Sequence, residues 1–108
     1  MEITKVSEAS FQAEVLEALL PVLVYYSAPW CSPCKMLEPI VNQLAEEWKG
    51  KVRVVKVELD DNPNLVIQYQ VMGAPTLLLF NQGRPVERVI GYQSRDRLVK
   101  KIEPHLFG

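Results

Sequence analysis

The sequence predicts an α/β fold: a central mixed sheet of five strands flanked by four helices in a single domain. Three observations lead to this prediction. Strand-like and helix-like segments alternate along the chain, which is typical of parallel strands joined by right-handed crossovers. The last two strand-like segments are separated only by a glycine-containing turn, which adds an antiparallel hairpin. The composition, 48% hydrophobic and 23% charged over 108 residues, suits one domain spanning residues 1–108.

The N-terminal part of the chain predicts an edge strand, a helix and a buried strand. Residues 3–6 have the pattern of a short edge strand. Ser7 and Ser10 are candidate N-caps for the helix that follows. The apolar face of this helix is predicted to carry Phe11, Val15, Leu16 and Leu19. Residues 22–26 are β-branched, aromatic or leucine without alternation, which is typical of a central strand covered on both faces.

The middle of the chain predicts a long helix and a third strand. Apolar residues recur at helical spacing between Cys34 and Trp48, and Gly50 follows as a stop signal. Pro39 lies inside this pattern, where it removes one backbone donor and clashes with the preceding turn. We therefore expect a kink at that position. Residues 52–59 predict the third strand.

The C-terminal part predicts a short helix, a hairpin and a last helix. Residues 62–63 have the pattern of an N-cap followed by proline in the first turn of a helix. The strands predicted at residues 76–80 and 86–90 are joined by a loop over residues 81–85. Ser94 is predicted to cap the last helix. The apolar positions on the inner face of that helix are Leu98, Val99, Ile102 and Leu106.

The composition argues against several classes of protein. Twelve Lys and Arg residues against 13 Asp and Glu residues give a net charge of −1, without the basic excess of a dedicated nucleic-acid binder. No apolar run approaches the roughly 20 residues that span a bilayer, and the longest, residues 18–28, is interrupted by Pro21. The N-terminus lacks the layout of a signal peptide. We therefore expect a cytoplasmic protein with no nucleic-acid or membrane partner.

The chain has two cysteines, Cys31 and Cys34, which are too few for a disulfide-stapled secreted scaffold. They lie at a predicted strand-to-helix junction, where their spacing places both sulfurs on one side of the first helical turn. Pro33 fits that turn because its missing N–H would have had no partner there. The unpaired N–H groups of the turn stabilise a nearby anion and so favour the reactive thiolate of Cys31.

Three other interpretations of the cysteine pair are less well supported. A structural zinc site normally needs four Cys or His ligands, and His105 is the only histidine, so we predict no metal site. An inert staple would close a very short loop and gain little entropy. Two unrelated buried thiols would leave Pro33 between them unexplained.

A broader set of segments extends the pattern beyond the cysteine pair. These segments are Ala28-Pro29-Trp30-Cys31-Ser32-Pro33-Cys34-Lys35, Pro39, Asp60-Asp61-Asn62-Pro63, Met72-Gly73-Ala74-Pro75-Thr76, Gly83 and Gly91. In this order and over nearly the whole chain they resemble the thioredoxin family, including its active-site segment and its proline loop. The resemblance implies the thioredoxin fold and a protein-disulfide reductase, a thiol–disulfide oxidoreductase that carries electrons and serves cell redox homeostasis.

The resemblance also implies a mechanism. Cys31 would attack a disulfide of a client protein, and Cys34 would resolve the mixed disulfide and form a redox-active Cys31–Cys34 disulfide, with no other cofactor. A thioredoxin reductase, either an NADPH-linked flavoprotein or a ferredoxin-linked enzyme, would restore the dithiol. We expect a monomer, since the sequence has no sign of a dimer. A more oxidising isomerase or oxidase and a redox-inactive interaction module are the alternative functions.

In such a family member the proline loop would bind clients. Pro75 would follow a cis peptide bond, and the backbone at Gly73 and Ala74 would lie beside the sulfurs and pair with a client strand. The apolar rim around Cys31 would consist of Trp30, Pro33, Ala74, Gly91 and Tyr92. The competing interpretations are that Pro75 is an ordinary loop proline, Trp30 a core residue and Tyr92 a plain loop aromatic.

The sequence departs from the family pattern in the residues expected to tune the active site. Tyr25 replaces a buried Asp that is thought to move a proton for the second cysteine, and a phenol with a reference pKa near 10 is a poor base at neutral pH. Water, Lys56 or the Tyr25 hydroxyl would have to take over that role. Lys56 is then either a cation without its usual counter-ion or a lysine whose head reaches solvent.

The other departures concern redox potential and packing. Without a buried anion the thiolate is more stable, so we expect a less negative potential than in an Asp-containing relative. Ser32 replaces the usual Gly between the cysteines and stiffens the loop, whereas Pro33 is retained. Ser27 replaces a second Trp, so the pocket beneath the active site would pack differently.

Overall fold

Five strands form one mixed sheet in the computed structural model, which describes residues 3–107. They are β1 (Thr4–Lys5), β2 (Val22–Ser27), β3 (Arg53–Glu58), β4 (Thr76–Asn81) and β5 (Arg84–Ile90). The order across the sheet is β1-β3-β2-β4-β5. β3 pairs in parallel with β1 and β2, whereas the pairs β2–β4 and β4–β5 are antiparallel. The predicted fold class is confirmed.

The helices are α1 (Ser32–Glu47), α2 (Pro63–Gln68), α3 (Arg95–Phe107) and a short π-helical segment, Gln12–Leu16. In α3 the Ser94 hydroxyl accepts a hydrogen bond from the Arg97 amide at 3.3 Å, which confirms the predicted cap. Pro39 lies within α1 as expected, and the kink there stays a prediction. Among the described residues no helix is both long and apolar enough to cross a membrane.

The first predicted helix is shorter than expected. The Glu17 amide bonds to the Gln12 carbonyl at 2.9 Å, which closes a π-type turn and ends the segment. Leu19, predicted on its inner face, is instead 100% exposed because it follows the end of the helix. The Ser10 hydroxyl does not cap the segment, since it accepts from the Ser7 amide in the preceding turn.

The sheet separates two hydrophobic cores. Side chains of β2 alternate between them: Leu23 and Tyr25 pack on the side of α1 and α3, and Val22, Val24 and Tyr26 pack on the side of α2. Every residue of β2 is buried, because the strand is central and both its faces are covered. This rigid strand leads directly into the loop that carries the cysteines.

The turn between β4 and β5 is tighter than predicted. Gln82 and Gly83 both have positive φ angles, 52° and 80°, as a two-residue hairpin turn requires, so β5 begins at Arg84. A Cβ atom added at Gly83 would lie 3.0 Å from the Leu16 carbonyl oxygen. Glycine at this turn therefore serves both the backbone angle and the approach of the π-helical segment.

Asn62 joins three segments of chain. It occupies the N-cap position of α2 as predicted, but its side chain makes no capping bond. Its side-chain Nδ2 atom donates a hydrogen bond to the Glu58 carbonyl at 2.8 Å, and its Oδ1 atom accepts one from the Glu8 backbone amide at 3.0 Å. The Glu8 carboxylate instead accepts from the Asn64 amide at 2.7 Å, in the first turn of α2. A buried Asn thus fixes the loop after β1 against the end of β3.

We expect Asn62→Ala to destabilise the protein by about 2 kcal/mol, because it removes two part-buried hydrogen bonds, one from the Glu8 amide and one to the Glu58 carbonyl. Urea denaturation of the oxidised protein measures the change. Asn64→Ala is the matched control, since its exposed side chain loses one bond to Glu8 and should cost less than about 1 kcal/mol. Equal losses in the two variants would contradict this account of Asn62.

Candidate functional site

The two cysteines form a disulfide at the start of α1. Cys31 is the N-cap residue, and its Sγ atom accepts a hydrogen bond from the Cys34 backbone amide at 3.2 Å. Ser32 and Pro33 are the first two residues of the helix and are exposed, whereas the cysteines are only 3% and 2% exposed. The bond rules out two unrelated thiols. Within residues 3–107 no group of three His, Cys, Asp or Glu side chains is arranged to hold a metal ion.

The predicted proline loop lies against Cys31. The Ala74 carbonyl oxygen is 3.3 Å from the Cys31 Sγ atom, and the Ala74–Pro75 peptide bond is cis. The Thr76 hydroxyl donates to the Gly73 carbonyl at 2.7 Å, and the Gly91 amide donates to the Pro75 carbonyl at 2.8 Å. The loop is therefore fastened on both sides of Ala74, which holds one backbone carbonyl beside the sulfur.

A groove of about 180 Å³ runs along this loop. Its lining residues are Gln70, Met72, Gly73, Ala74, Pro75, Thr76, Arg88, Ile90 and Gly91. Arg88 donates to the carbonyls of Tyr69 and Gln70 at 2.5 and 3.4 Å, so it holds the start of the loop. No sequence motif marks Arg88, because its partners are backbone atoms of a distant segment.

Three of the five predicted rim residues, Trp30, Pro33 and Tyr92, lie outside the lining of that groove. Trp30 is 63% exposed, and its indole N–H donates to the Asp60 carboxylate at 2.8 Å. The interpretation of Trp30 as a core residue is therefore wrong. Tyr92 is also exposed and follows Gly91, whose φ angle is +78°. Both aromatic side chains belong to the solvent-facing surface, and their contribution to client binding stays a prediction.

Tyr25 is fully buried beneath the cysteines. Its hydroxyl donates to the Cys34 carbonyl at 3.1 Å. Burial of the phenol raises the pKa of Tyr25 to about 12, with a smaller contribution from the negative charge of Glu38, while a hydrogen bond with Ser27 opposes the rise. Tyr25 is therefore neutral at neutral pH and acts as a hydrogen-bond donor, which makes it unsuitable as a base.

Lys56 has two carboxylate partners. Its Nζ atom lies 3.0 Å from Glu38 Oε1 and 3.7 Å from Glu58 Oε1, and its side chain is 17% exposed. The usual Asp counter-ion is absent at position 25, as the sequence indicates, and Glu38 and Glu58 pair with Lys56 instead. The same Nζ atom is 5.9 Å from the centre of the Tyr25 ring. Lys56 and its two partners thus form a charged cluster beside the buried tyrosine.

Sequence reasoning missed the two glutamates of this cluster. One available signal was spacing: Glu38 follows Cys34 by four residues, one helical turn, and Glu58 follows Lys56 by two, on the same face of β3. A cavity of about 430 Å³ opens beside the cluster. Its lining includes Ser27, Pro29, Cys34, Lys35, Glu38, Asn42, Lys56 and Glu58.

Comparisons with known proteins agree with this geometry. The family model named Thioredoxin matches residues 2–104. A thioredoxin of Synechocystis sp. is 43% identical over 102 residues, which cover 94% of this chain and 95% of that relative. A thioredoxin of Pyropia yezoensis is 40% identical over 106 residues, covering 98% and 99%. A thioredoxin of Staphylococcus aureus is 39% identical over 106 residues, covering 98% and 100%.

The raised pKa of Tyr25 predicts a specific loss of stability in alkali. The unfolded phenol ionises near pH 10, whereas the folded one keeps its proton to about pH 12. The stabilisation is thus complete below about pH 10 and is lost as the pH rises through about 12. Tyr25→Phe should lower the free energy of unfolding by about 1 kcal/mol at neutral pH, because the hydrogen bond is lost. The difference in unfolding free energy between wild type and variant should narrow above about pH 10, because only the wild type loses stability there.

Urea denaturation of the oxidised proteins at neutral pH and at about pH 11 measures this gap. Tyr92→Phe is the control, because it removes an exposed hydroxyl and should keep a constant difference from wild type. A gap that stays constant for Tyr25→Phe as well would contradict the proposed effect of burial.

Proposed function

Since the chain belongs to the thioredoxin family and is a protein dithiol–disulfide oxidoreductase, we propose that Cys31 attacks client disulfides and Cys34 resolves the mixed disulfide. The observation that carries this assignment is the position of each sulfur. Cys31 is the N-cap residue beside the proline loop, whereas Cys34 lies one turn inside α1 with the Tyr25 hydroxyl bound to its carbonyl. Cys31 is therefore the sulfur next to the client groove.

The start of α1 supports a reactive thiolate at Cys31. A negative charge on its Sγ atom would face the free N–H groups of the first turn, one of which already lies at 3.2 Å in the Cys34 amide. The thiolate attacks one sulfur of a client disulfide, and the electron pair leaves on the other sulfur. Cys34 then attacks Cys31, which releases the client sulfur as a thiolate and leaves the client reduced by two electrons.

We assign client binding to the groove beside Cys31 and to its aromatic neighbours. The backbone at Gly73 and Ala74 would pair with an extended client segment, because strand addition to a fixed backbone edge supplies main-chain hydrogen bonds. The remaining residues assigned to the client surface are Trp30, Pro33, Pro75, Gly91 and Tyr92. The residues assigned to tuning of the sulfurs are Tyr25, Lys56, Trp30, Ser32 and Pro33. In support, Ala74 O lies 3.3 Å from the attacking sulfur.

The proposal extends to partners and setting. One domain over residues 1–108 would act as a monomer in the cytoplasm, with disulfide-containing proteins as clients and without nucleic acid or membrane. The Cys31–Cys34 pair would carry the electrons itself, with no bound cofactor, and a flavoprotein or ferredoxin-linked reductase would restore it. The net charge of −1 supports the choice of protein clients over nucleic acid.

Reduction of insulin by dithiothreitol tests the two cysteine roles. The wild-type protein should accelerate precipitation of the insulin chains, and Cys31→Ser should abolish the acceleration because no thiolate attacks. Cys34→Ser should keep the attack and accumulate a stable mixed disulfide, visible on a non-reducing gel. Acceleration by Cys31→Ser at the wild-type rate, or trapping in that variant in place of Cys34→Ser, would contradict the assignment.

The neutral side chain at position 25 should make the pair more oxidising. Tyr25→Asp places an anion beneath the sulfurs, destabilises their thiolates and should make the potential more negative by about 30 mV, which is tenfold in the redox equilibrium. A redox titration in glutathione and dithiothreitol buffers measures this change. Tyr25→Phe, which adds no charge, is the control and should stay near wild type.

The same Tyr25→Asp variant should also be less stable in its oxidised form, by about 3 kcal/mol or more, because a carboxylate replaces a fully buried ring. Urea midpoints measure that loss. A potential in Tyr25→Asp equal to or less negative than that of wild type would contradict the role of charge at this position.

A further inference from the structure

We propose that Glu38 accepts the proton of the Cys34 thiol across the cavity that both residues line. The inference rests on the proposed function, in which Cys34 resolves the mixed disulfide. It assigns to a side chain on α1 a proton transfer that neither Tyr25 nor Lys56 can perform.

The resolving step creates a need for a base. Cys34 is 2% exposed, and a thiol in such surroundings gives up its proton reluctantly because the thiolate loses its hydration. Only the thiolate attacks a disulfide. The chain must therefore supply a route for this proton from a buried sulfur to solvent.

Two nearby groups are excluded as acceptors by their contacts. The Tyr25 hydroxyl donates its hydrogen to the Cys34 carbonyl, and its burial keeps it protonated. Lys56 lies within 4 Å of two carboxylates and donates a hydrogen bond to Glu38 at 3.0 Å, so its head group is already engaged as a donor. Both groups therefore act as hydrogen-bond donors at this site, and neither serves as the proton acceptor.

Glu38 has the position that an acceptor needs. It follows Cys34 by four residues on α1, so the two side chains lie on the same face of the helix, one turn apart. Both line the cavity of about 430 Å³, and Cys31 does not. A cavity of this size with charged walls has room for water that connects the two groups. The Glu38 side chain is 39% exposed, so a proton it accepts can pass on to solvent.

Glu58 lines the same cavity but is a weaker candidate. It lies near two lysines, 3.7 Å from Lys56 and 3.8 Å from Lys5, and its side chain is only 16% exposed. Its carboxylate thus lies between two lysines and is less open to water than that of Glu38. It also belongs to β3 instead of the helix that carries Cys34.

Proton transfer and disulfide exchange together make up the resolving step. The Cys34 thiol transfers its proton through water to the Glu38 carboxylate, and the resulting thiolate attacks the Cys31 sulfur of the mixed disulfide. The Cys31–Cys34 bond forms, the bond from Cys31 to the client breaks, and its electron pair leaves on the client sulfur. The cysteine pair is oxidised by two electrons and the client is reduced by two. Glu38 then releases the proton to solvent.

The reaction of the reduced protein with dithiobis(nitrobenzoate) separates the two sulfurs in one stopped-flow trace. Cys31 releases the first nitrothiobenzoate, and attack by Cys34 releases the second. Glu38→Gln should leave the first phase unchanged and slow the second about a hundredfold near pH 7, because a positioned base is lost without a change of shape. The slow rate should then rise about tenfold per pH unit, since hydroxide must take the proton.

Two further variants make the result decisive. Glu58→Gln also removes one carboxylate partner of Lys56, and it should not change the pH profile of the second phase. Glu38→Asp should restore most of the rate, to within about tenfold of wild type. A second phase unaffected by Glu38→Gln, or slowed equally by Glu58→Gln, would overturn the proposal. Loss of the first phase in wild type, or its survival at full rate in Cys31→Ser, would overturn the assignment of Cys31 instead.

Discussion

The hydrogen bond from the Cys34 amide to the Cys31 sulfur sets the arrangement on which the rest of the site depends. It makes Cys31 the N-cap of α1, so one contact both begins the helix and places the two sulfurs together. The start of the helix is in turn fixed by β2, the fully buried centre of the sheet, which ends just before the cysteine loop. Because this strand is fully buried and paired on both sides, the sulfurs follow a strand with no free edge.

The two sulfurs have different surroundings. Cys31 lies against the backbone of Ala74, in a loop that Arg88 holds before Ala74 and Gly91 holds after it. Cys34 lines a cavity with a charged wall, while its carbonyl is bound by Tyr25. An uncharged backbone edge suits recognition of a client chain, and a charged, solvent-open cavity suits movement of a proton. The difference follows from one helical turn between the two residues.

Features that depend on a local sequence pattern could be predicted from the sequence. Hydrophobic periodicity located all five strands, and the two-cysteine motif located the start of α1, because both signals are carried by neighbouring residues. The errors have a common origin in contacts between distant segments. Leu19 is exposed because a π-type turn ends its helix early, and Trp30 is held outside by Asp60. Lys56 meets Glu38 only after β3 packs beside α1, which no local pattern reveals.

Tyr25 shows how this chain rearranges charge around the cysteines. A carboxylate at that fully buried position would have to be dehydrated, at a cost of several kcal/mol. The phenol avoids the cost, fills the space and still satisfies the Cys34 carbonyl. The negative charge lies instead on Glu38, where water reaches the carboxylate and Lys56 balances it. A carboxylate at the wall of a cavity needs less desolvation than one in the core. The neutral Tyr25 in the core and the charged Glu38 at the cavity wall therefore suit each other.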